Sequence, residues 1–195
     1  VFDMLKIGVG PSSSHTLGPW RAAEQFLKEL KDRNLFNEVT KVTIDLYGSL
    51  SLTGIGHATD LAVMLGLSGA DPEYVPVDDI SGIIDHIKST NTIIISGLKA
   101  IPFSFEKDII FNKNFLPFHA NGLKFSAHCE QQIYESTFYS IGGGFVVKEE
   151  TSENKENDEI KAAFPFPIDK ATELLAFCLQ ENKSISEIVY ENELS

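Results

Sequence analysis

The stretch Gly8-Val9-Gly10-Pro11-Ser12-Ser13-Ser14-His15-Thr16-Leu17-Gly18-Pro19 decides how this chain reads. Small residues, hydroxyls and one imidazole run straight into a helical pattern. Trp20, Ala23, Phe26, Leu27 and Leu30 share one face of it, and Arg21, Glu24, Lys28 and Glu29 the other. The spacing predicts a loop that ends as a helix N-terminus, with the helix running to about Asn34. Free backbone N–H groups and the positive end of the helix dipole point out of such an end. That suits a carboxylate or another small anion. Ser or Thr before a helix is also an ordinary N-cap, and Pro in the first turn is ordinary helix-start chemistry. Three consecutive serines exceed what one cap requires.

Working outward, Val39–Tyr47 alternates, with Val42, Ile44 and Leu46 facing one way and Thr43 and Asp45 the other, the pattern of a half-buried strand. A small-residue stretch, Gly48 to His57, separates it from a helix predicted over Ala58–Leu65. Asp79–Ser89 is a further helix. Asn91–Ser96, Phe103–Phe111 and Lys124–His128 read as strands, and Phe138–Val147 as a strand interrupted by Gly142-Gly143-Gly144. Helices and strands mix without a βαβ rhythm. The expected class is therefore α+β, with a mixed or antiparallel sheet and helices on one side. Residues 1–147 form the expected main domain. An acidic, polar linker occupies 148–163, where no core face can be drawn. From 164 the pattern turns helical again, through Ile168, Ala171, Leu174, Leu175, Cys178 and Leu179. Ser184 with Glu187 reads as a capping box. One or two such helices cannot bury their apolar face alone, so 164–195 is expected to open a further domain of a longer protein.

Composition excludes several classes. The chain has 195 residues, 43% hydrophobic, and a formal net charge of −12. That charge argues against nucleic acid or an anionic membrane as partner. No apolar run approaches the ~18 residues of a membrane span, and no signal peptide is seen. Cys129 and Cys178 are the two cysteines, without CxxC or Cys/His spacing, so no metal site is expected within the chain. This usage fits a reducing cytoplasm.

A second motif, Thr53-Gly54-Ile55-Gly56-His57-Ala58-Thr59-Asp60, repeats the first design of small residues, a hydroxyl and a His before a helix. It fails as a dinucleotide fingerprint because Thr59 holds the third glycine position and no βαβ unit follows. It fails as a P-loop for lack of Gly-Lys-Ser/Thr. A tight turn with a satisfied His remains the plain alternative. His119-Ala120-Asn121-Gly122 is a turn before a strand, with Asn121 able to donate to a carboxylate. Recurrence favours chemistry: two Gly-rich loops each bring hydroxyls and one His to a helix start, and His exchanges protons near neutrality. His15 and His57 are the catalytic candidates. Ser12, Ser13, Ser14, Thr16, Thr53 and Asn121 are the substrate-binding candidates.

In these motifs, together with Gly48-Ser49-Leu50 and Tyr139-Ser140-Ile141-Gly142-Gly143-Gly144-Phe145, the chain resembles the N-terminal (β) domain of the iron–sulfur L-serine dehydratases, or L-serine ammonia-lyases. The resemblance runs in order along almost the whole chain and includes Phe164-Pro165-Phe166-Pro167. Ala120 departs from it, since many members carry Pro there. The resemblance implies an α+β module related to the allosteric-substrate-binding domain of some phosphoglycerate dehydrogenases. It implies a catalytic α domain or subunit as partner, with the ligands of an oxygen-labile [4Fe–4S] cluster outside this chain and its open iron acting as Lewis acid. L-serine is the implied substrate, losing water to give pyruvate and ammonia, and a homo-oligomer is expected. Two readings of other classes compete: a regulatory module that binds an amino acid without chemistry, and a dimerisation domain. Histidines in both loops favour the enzyme, since a sensor needs no proton carrier.

Overall fold

The computed structural model describes Gly8, Gly10 and residues 12–149, 164–168 and 170–194. The apolar lead-in over 1–7 and positions 150–163 of the expected linker lie outside the described residues. Two compact units separate at Glu149/Glu150.

In the larger unit, a π-helical turn over Ser13–Leu17 continues into α1 (Gly18–Asp32). The predicted apolar face is fully realised. Trp20, Ala23, Phe26, Leu27 and Leu30 are all buried. Arg21 pairs with Glu24 and Glu73 on the wet side. Then come β1 (Lys41–Leu46), α2 (Gly48–Thr53), α3 (Thr59–Ser68), α4 (Val77–Thr90), β2 (Thr92–Ile95) and β3 (Lys99–Pro102). The short α5 (Phe105–Asp108), β4 (Ile109–Phe111), β5 (Gly122–His128), β6 (Ile133–Gly142) and β7 (Phe145–Lys148) complete it. The main sheet has the order β4-β1-β5-β6-β7, parallel only between β1 and β4, while β2 and β3 form a separate hairpin. This is the expected mixed sheet in an α+β fold.

Register puts Val42, Ile44 and Leu46 beside Ala127, Phe125 and Leu123, all buried on the face covered by α1. Phe26 of α1 stacks on Phe125 at 5.0 Å between ring centroids, which ties the helix to the middle of the sheet. Each such buried ring contributes roughly 1.5–3 kcal/mol relative to exposure. Helix α3 crosses α1 closely because position 66 has no side chain. A Cβ on Gly66 would lie 2.6 Å from the Trp20 carbonyl oxygen.

Three stretches depart from the sequence expectation. Phe103–Phe111 is not one strand. Asp108 accepts from Ser104 N at 2.7 Å and its own N–H returns to the Ser104 carbonyl, and this reciprocal bond closes the helical turn α5. Phe138–Val147 is not an interrupted strand but the hairpin of β6 and β7, turned by Gly142, Gly143 and Gly144 at φ of 100, 60 and 79°. Only glycine adopts such a run of positive φ without strain. The small-residue stretch after β1 is helical, as α2 and then a 3₁₀ turn over Ile55–His57.

In the smaller unit, α6 (Ala171–Glu181) and α7 (Ile185–Leu194) form a helical pair. Asn192 holds Phe166 by two bonds, accepting from its N–H and donating to its carbonyl. The capping box is present: Ser184 N donates to Glu187 Oε2 at 2.7 Å. Ile188 is buried, but Leu175, Leu179 and Leu194 remain exposed.

Candidate functional site

The two histidines come together. Their ring centroids lie 5.1 Å apart, tilted by 53°.

His15 sits in the π-helical turn, where the extra residue per turn leaves backbone carbonyls outside the helical ladder. Buried hydroxyls from other elements meet them. Ser140 of β6 donates to the Ser14 carbonyl at 2.7 Å, and Thr59 of α3 to the His15 carbonyl at 2.6 Å. Gly18 makes the first of these contacts possible, since a Cβ there would lie 2.0 Å from Ser140 Oγ. Around the ring, Ser14 Oγ is 2.9 Å from Nδ1 and Ser49 Oγ is 3.0 Å from Nε2. Burial first, and the neighbouring His57 second, lower the His15 pKa from its ordinary value, while hydrogen bonding to Ser49 opposes them.

His57 ends the 3₁₀ turn with its side chain exposed. Its backbone is fixed: the N–H donates to the Gly54 carbonyl at 3.1 Å and the carbonyl accepts from Thr16 Oγ1 at 2.9 Å. Ala58 follows in the left-handed region, φ 57° and ψ 32°, so that α3 can start immediately. A non-glycine residue held there marks stored strain of the kind found at functional sites.

The third motif supports both. Gly48 N donates to the Asn114 carbonyl and Ser49 N to the Ala120 carbonyl, at 2.8 and 2.9 Å, which docks the start of α2 on the turn before β5. Asn121 Nδ2 donates to the Ser140 carbonyl at 3.1 Å. The turn thus braces Ser49 on one side and Ser140 on the other, and each of those touches the His15 segment.

The candidates therefore separate by place. Ser13 is exposed, and Ser14 and Ser12 are half-buried beside His15. Ser12 Oγ accepts from His15 N at 3.3 Å and so serves as an N-cap. Thr16 is buried and its hydroxyl hydrogen is committed to His57, which makes it a tether between the two loops. Thr53 lies at the end of α2, not at a helix start, and donates back to the Ser49 carbonyl. Asn121 is a brace. Sequence reasoning did not single out Ser49, Thr59 or Ser140 as site residues. All three lie inside the quoted motifs, yet a hydroxyl's partner depends on tertiary approach. It also passed over Asp60, a buried carboxyl in the first turn of α3 whose Oδ1 has no hydrogen-bond partner among the described residues and whose pKa burial raises.

Among the described residues, no group of three His, Cys, Asp or Glu side chains could hold a metal ion. Burial, then Glu38, pushes the Cys129 thiol above its ordinary pKa. The described residues do not fit an iron–sulfur cluster. A groove of about 870 Å³ lies elsewhere, between the end of α3 and α4, and neither histidine lines it.

The profile of the family described as serine dehydratase beta chain matches residues 1–151. This chain belongs to that family. The chain is also similar, over its full length, to proteins named L-serine dehydratase from Haemophilus influenzae, at 42% identity, and L-serine dehydratase 1 from Escherichia coli, at 41%. Over 97% of its length it is 37% identical to the L-serine dehydratase of Helicobacter pylori. The chain spans 43% of the length of the first two relatives and 42% of the third. No helix among the described residues is long and apolar enough to cross a membrane.

Proposed function

We propose that this chain supplies the proton-transfer and substrate-holding side of an L-serine dehydratase, completed by a catalytic α domain or subunit that holds the [4Fe–4S] cluster. The observation that carries the reading is the meeting of His15 and His57, from two separate loops, at 5.1 Å between ring centroids. A capped turn alone requires neither ring. The names of the relatives and the family give the reaction class.

In the elimination, the Cα–H and Cβ–O bonds of L-serine break, a C=C bond forms, and water leaves. The aminoacrylate tautomerises to an imine, which takes up water to give pyruvate and ammonia. One group must take the α-proton. His57 has an exposed ring and no hydrogen-bond partner on it among the described residues, so it is the proton acceptor. His15, held at both nitrogens, orients and polarises. The exposed hydroxyl of Ser13 and that of Ser14 hold the substrate carboxylate at the start of the turn. Thr16 acts as the tether between the loops. The exposed apolar side chains of α6 and α7 support a further domain as partner.

Anaerobic co-expression of this chain with the catalytic region of the same enzyme, followed by a pyruvate assay with L-serine, tests the reading. Pyruvate formation that depends on His57 is expected. L-serine binding without pyruvate formation would instead identify a regulatory amino-acid-binding domain.

A further inference from the structure

Two hydroxyl bonds run in opposite directions between the histidine loops. Thr16, next to His15, donates to the His57 carbonyl at 2.9 Å, and Thr59, two residues beyond His57, donates to the His15 carbonyl at 2.6 Å. A carbonyl only accepts, so the direction of both bonds is fixed. Both threonines are buried, at 4% and 0% exposure, which keeps water from competing for either bond. Each loop needs the other's hydroxyl for a local reason. Pro19 stands four residues after His15 and has no N–H, so the His15 carbonyl has no α-helical donor. The α3 ladder opens with the Ala58 carbonyl accepting from Ala62 N, which leaves the His57 carbonyl ahead of it. A helical threonine commonly turns its hydroxyl back to the carbonyl four residues earlier. For Thr16 that carbonyl is Ser12's, which already accepts from Thr16 N and Leu17 N at 2.9 and 3.3 Å. Thr59 is the first residue of α3 and has no such carbonyl in its own helix.

We propose that Thr16 and Thr59 are a reciprocal pair of positioning residues that sets the separation of the His15 and His57 rings. Each hydroxyl holds the main chain at the other loop's histidine. The loops therefore part only by breaking a buried hydrogen bond, and the ring spacing of 5.1 Å follows from two anchors rather than one. Threonine suits the task because its branched Cβ restricts χ1 and so aims the hydroxyl. Both hydroxyl hydrogens are committed within the protein, so the pair acts on the rings without touching substrate. The clasp stands independently of the proposed function. Its kinetic consequence rests on that reading.

The test uses the 195-residue chain, isotope-labelled, and reads the nuclear Overhauser cross-peak between the carbon-bound ring protons of His15 and His57. His15→Gln and His57→Gln assign the signals, and the indole N–H of Trp20, the single tryptophan, reports that the fold is kept. The wild-type chain is expected to show the cross-peak, and its absence overturns the proposal without recourse to any variant. Thr16→Val and Thr59→Val keep the side-chain shape and remove the hydroxyl. Each is expected to weaken the peak about threefold, since cross-relaxation falls steeply with distance, and Thr59→Ser to restore most of it. An unchanged peak in both Val variants overturns the proposal, and a loss in only one of them overturns its reciprocity. In the assembled enzyme, Thr59→Val should lower kcat about tenfold with KM changed less than twofold, the scale of a sub-ångström misplacement. Thr59→Ser should recover most of that loss. A weakened cross-peak with full kcat would uphold the clasp and overturn the catalytic reading of the site, so the two failures are distinguishable.

Discussion

The two histidine loops are written with the same ingredients and end in opposite conditions. At Ser13–Leu17 the side chain is held and the backbone carbonyls are supplied with donors from β6 and α3. At Ile55–His57 the backbone is held, by Gly54, Thr16 and a left-handed Ala58, and the ring is left exposed. Fixing the chain around a free imidazole keeps its position without occupying its nitrogens. Fixing the imidazole itself selects one orientation. The pair thus combines one ring held at both nitrogens with one left exposed.

The sharpest attempt to break this contrast removes the free ring. His57→Ala should lower turnover of the assembled enzyme by a factor of about 100 or more, within the ~10²–10⁴ range of a general base. Its thermal unfolding should be unchanged, because the ring is exposed. Pyruvate release and a melting curve on the same preparation check both halves, and near-normal turnover removes His57 from the mechanism. Next in size is an attack on the held side. Gly18→Ala drives a methyl group into Ser140 and should cost roughly 1–3 kcal/mol, as overpacking does. Urea denaturation would show it, and an unaltered midpoint would mean that β6 does not press on the turn.

Removing one tether is milder. Thr59→Val keeps shape but leaves the His15 carbonyl without its hydroxyl donor, at about 1 kcal/mol. Ala58→Gly sharpens the other loop by relieving the left-handed strain, and should raise stability by up to ~1 kcal/mol. Loss of stability in that variant would show that Ala58 is not strained. The smallest effect concerns pH. His15 has its pKa lowered on folding, so the unfolded chain binds the extra proton at a higher pH than the folded one. Stability therefore rises with pH across the window below about 6.5 and is lost as pH falls toward the lowered folded value. His15→Gln should flatten that slope slightly, as seen in denaturation midpoints between pH 5 and 7.

Much of the fold was legible because burial follows period. The α1 face and the alternation of β1 emerge as written, since both depend on local spacing. The misread stretches share a cause. Phe103–Phe111 is rich in β-favouring residues, but the reciprocal bond between Ser104 and Asp108 overrides propensity. The three glycines after Ile141 signal a break in the strand without saying that the chain doubles back. Within the site, the histidines stood out by recurrence. The assignment of hydroxyls did not. Ser14, Thr16, Thr53 and Ser140 look alike in sequence, and what distinguishes them is which carbonyl or ring comes within 3 Å.

The bond from Ser140 to the Ser14 carbonyl joins positions 126 residues apart. A ribosome delivers the serine-rich motif first and its last tether only when the hairpin of β6 has been made. Pairing so distant in sequence forms late and slowly. A nascent chain halted before Ser140 would carry every imidazole of this site and yet lack its geometry. The geometry around the His15 turn is therefore completed only at the end of the domain's synthesis.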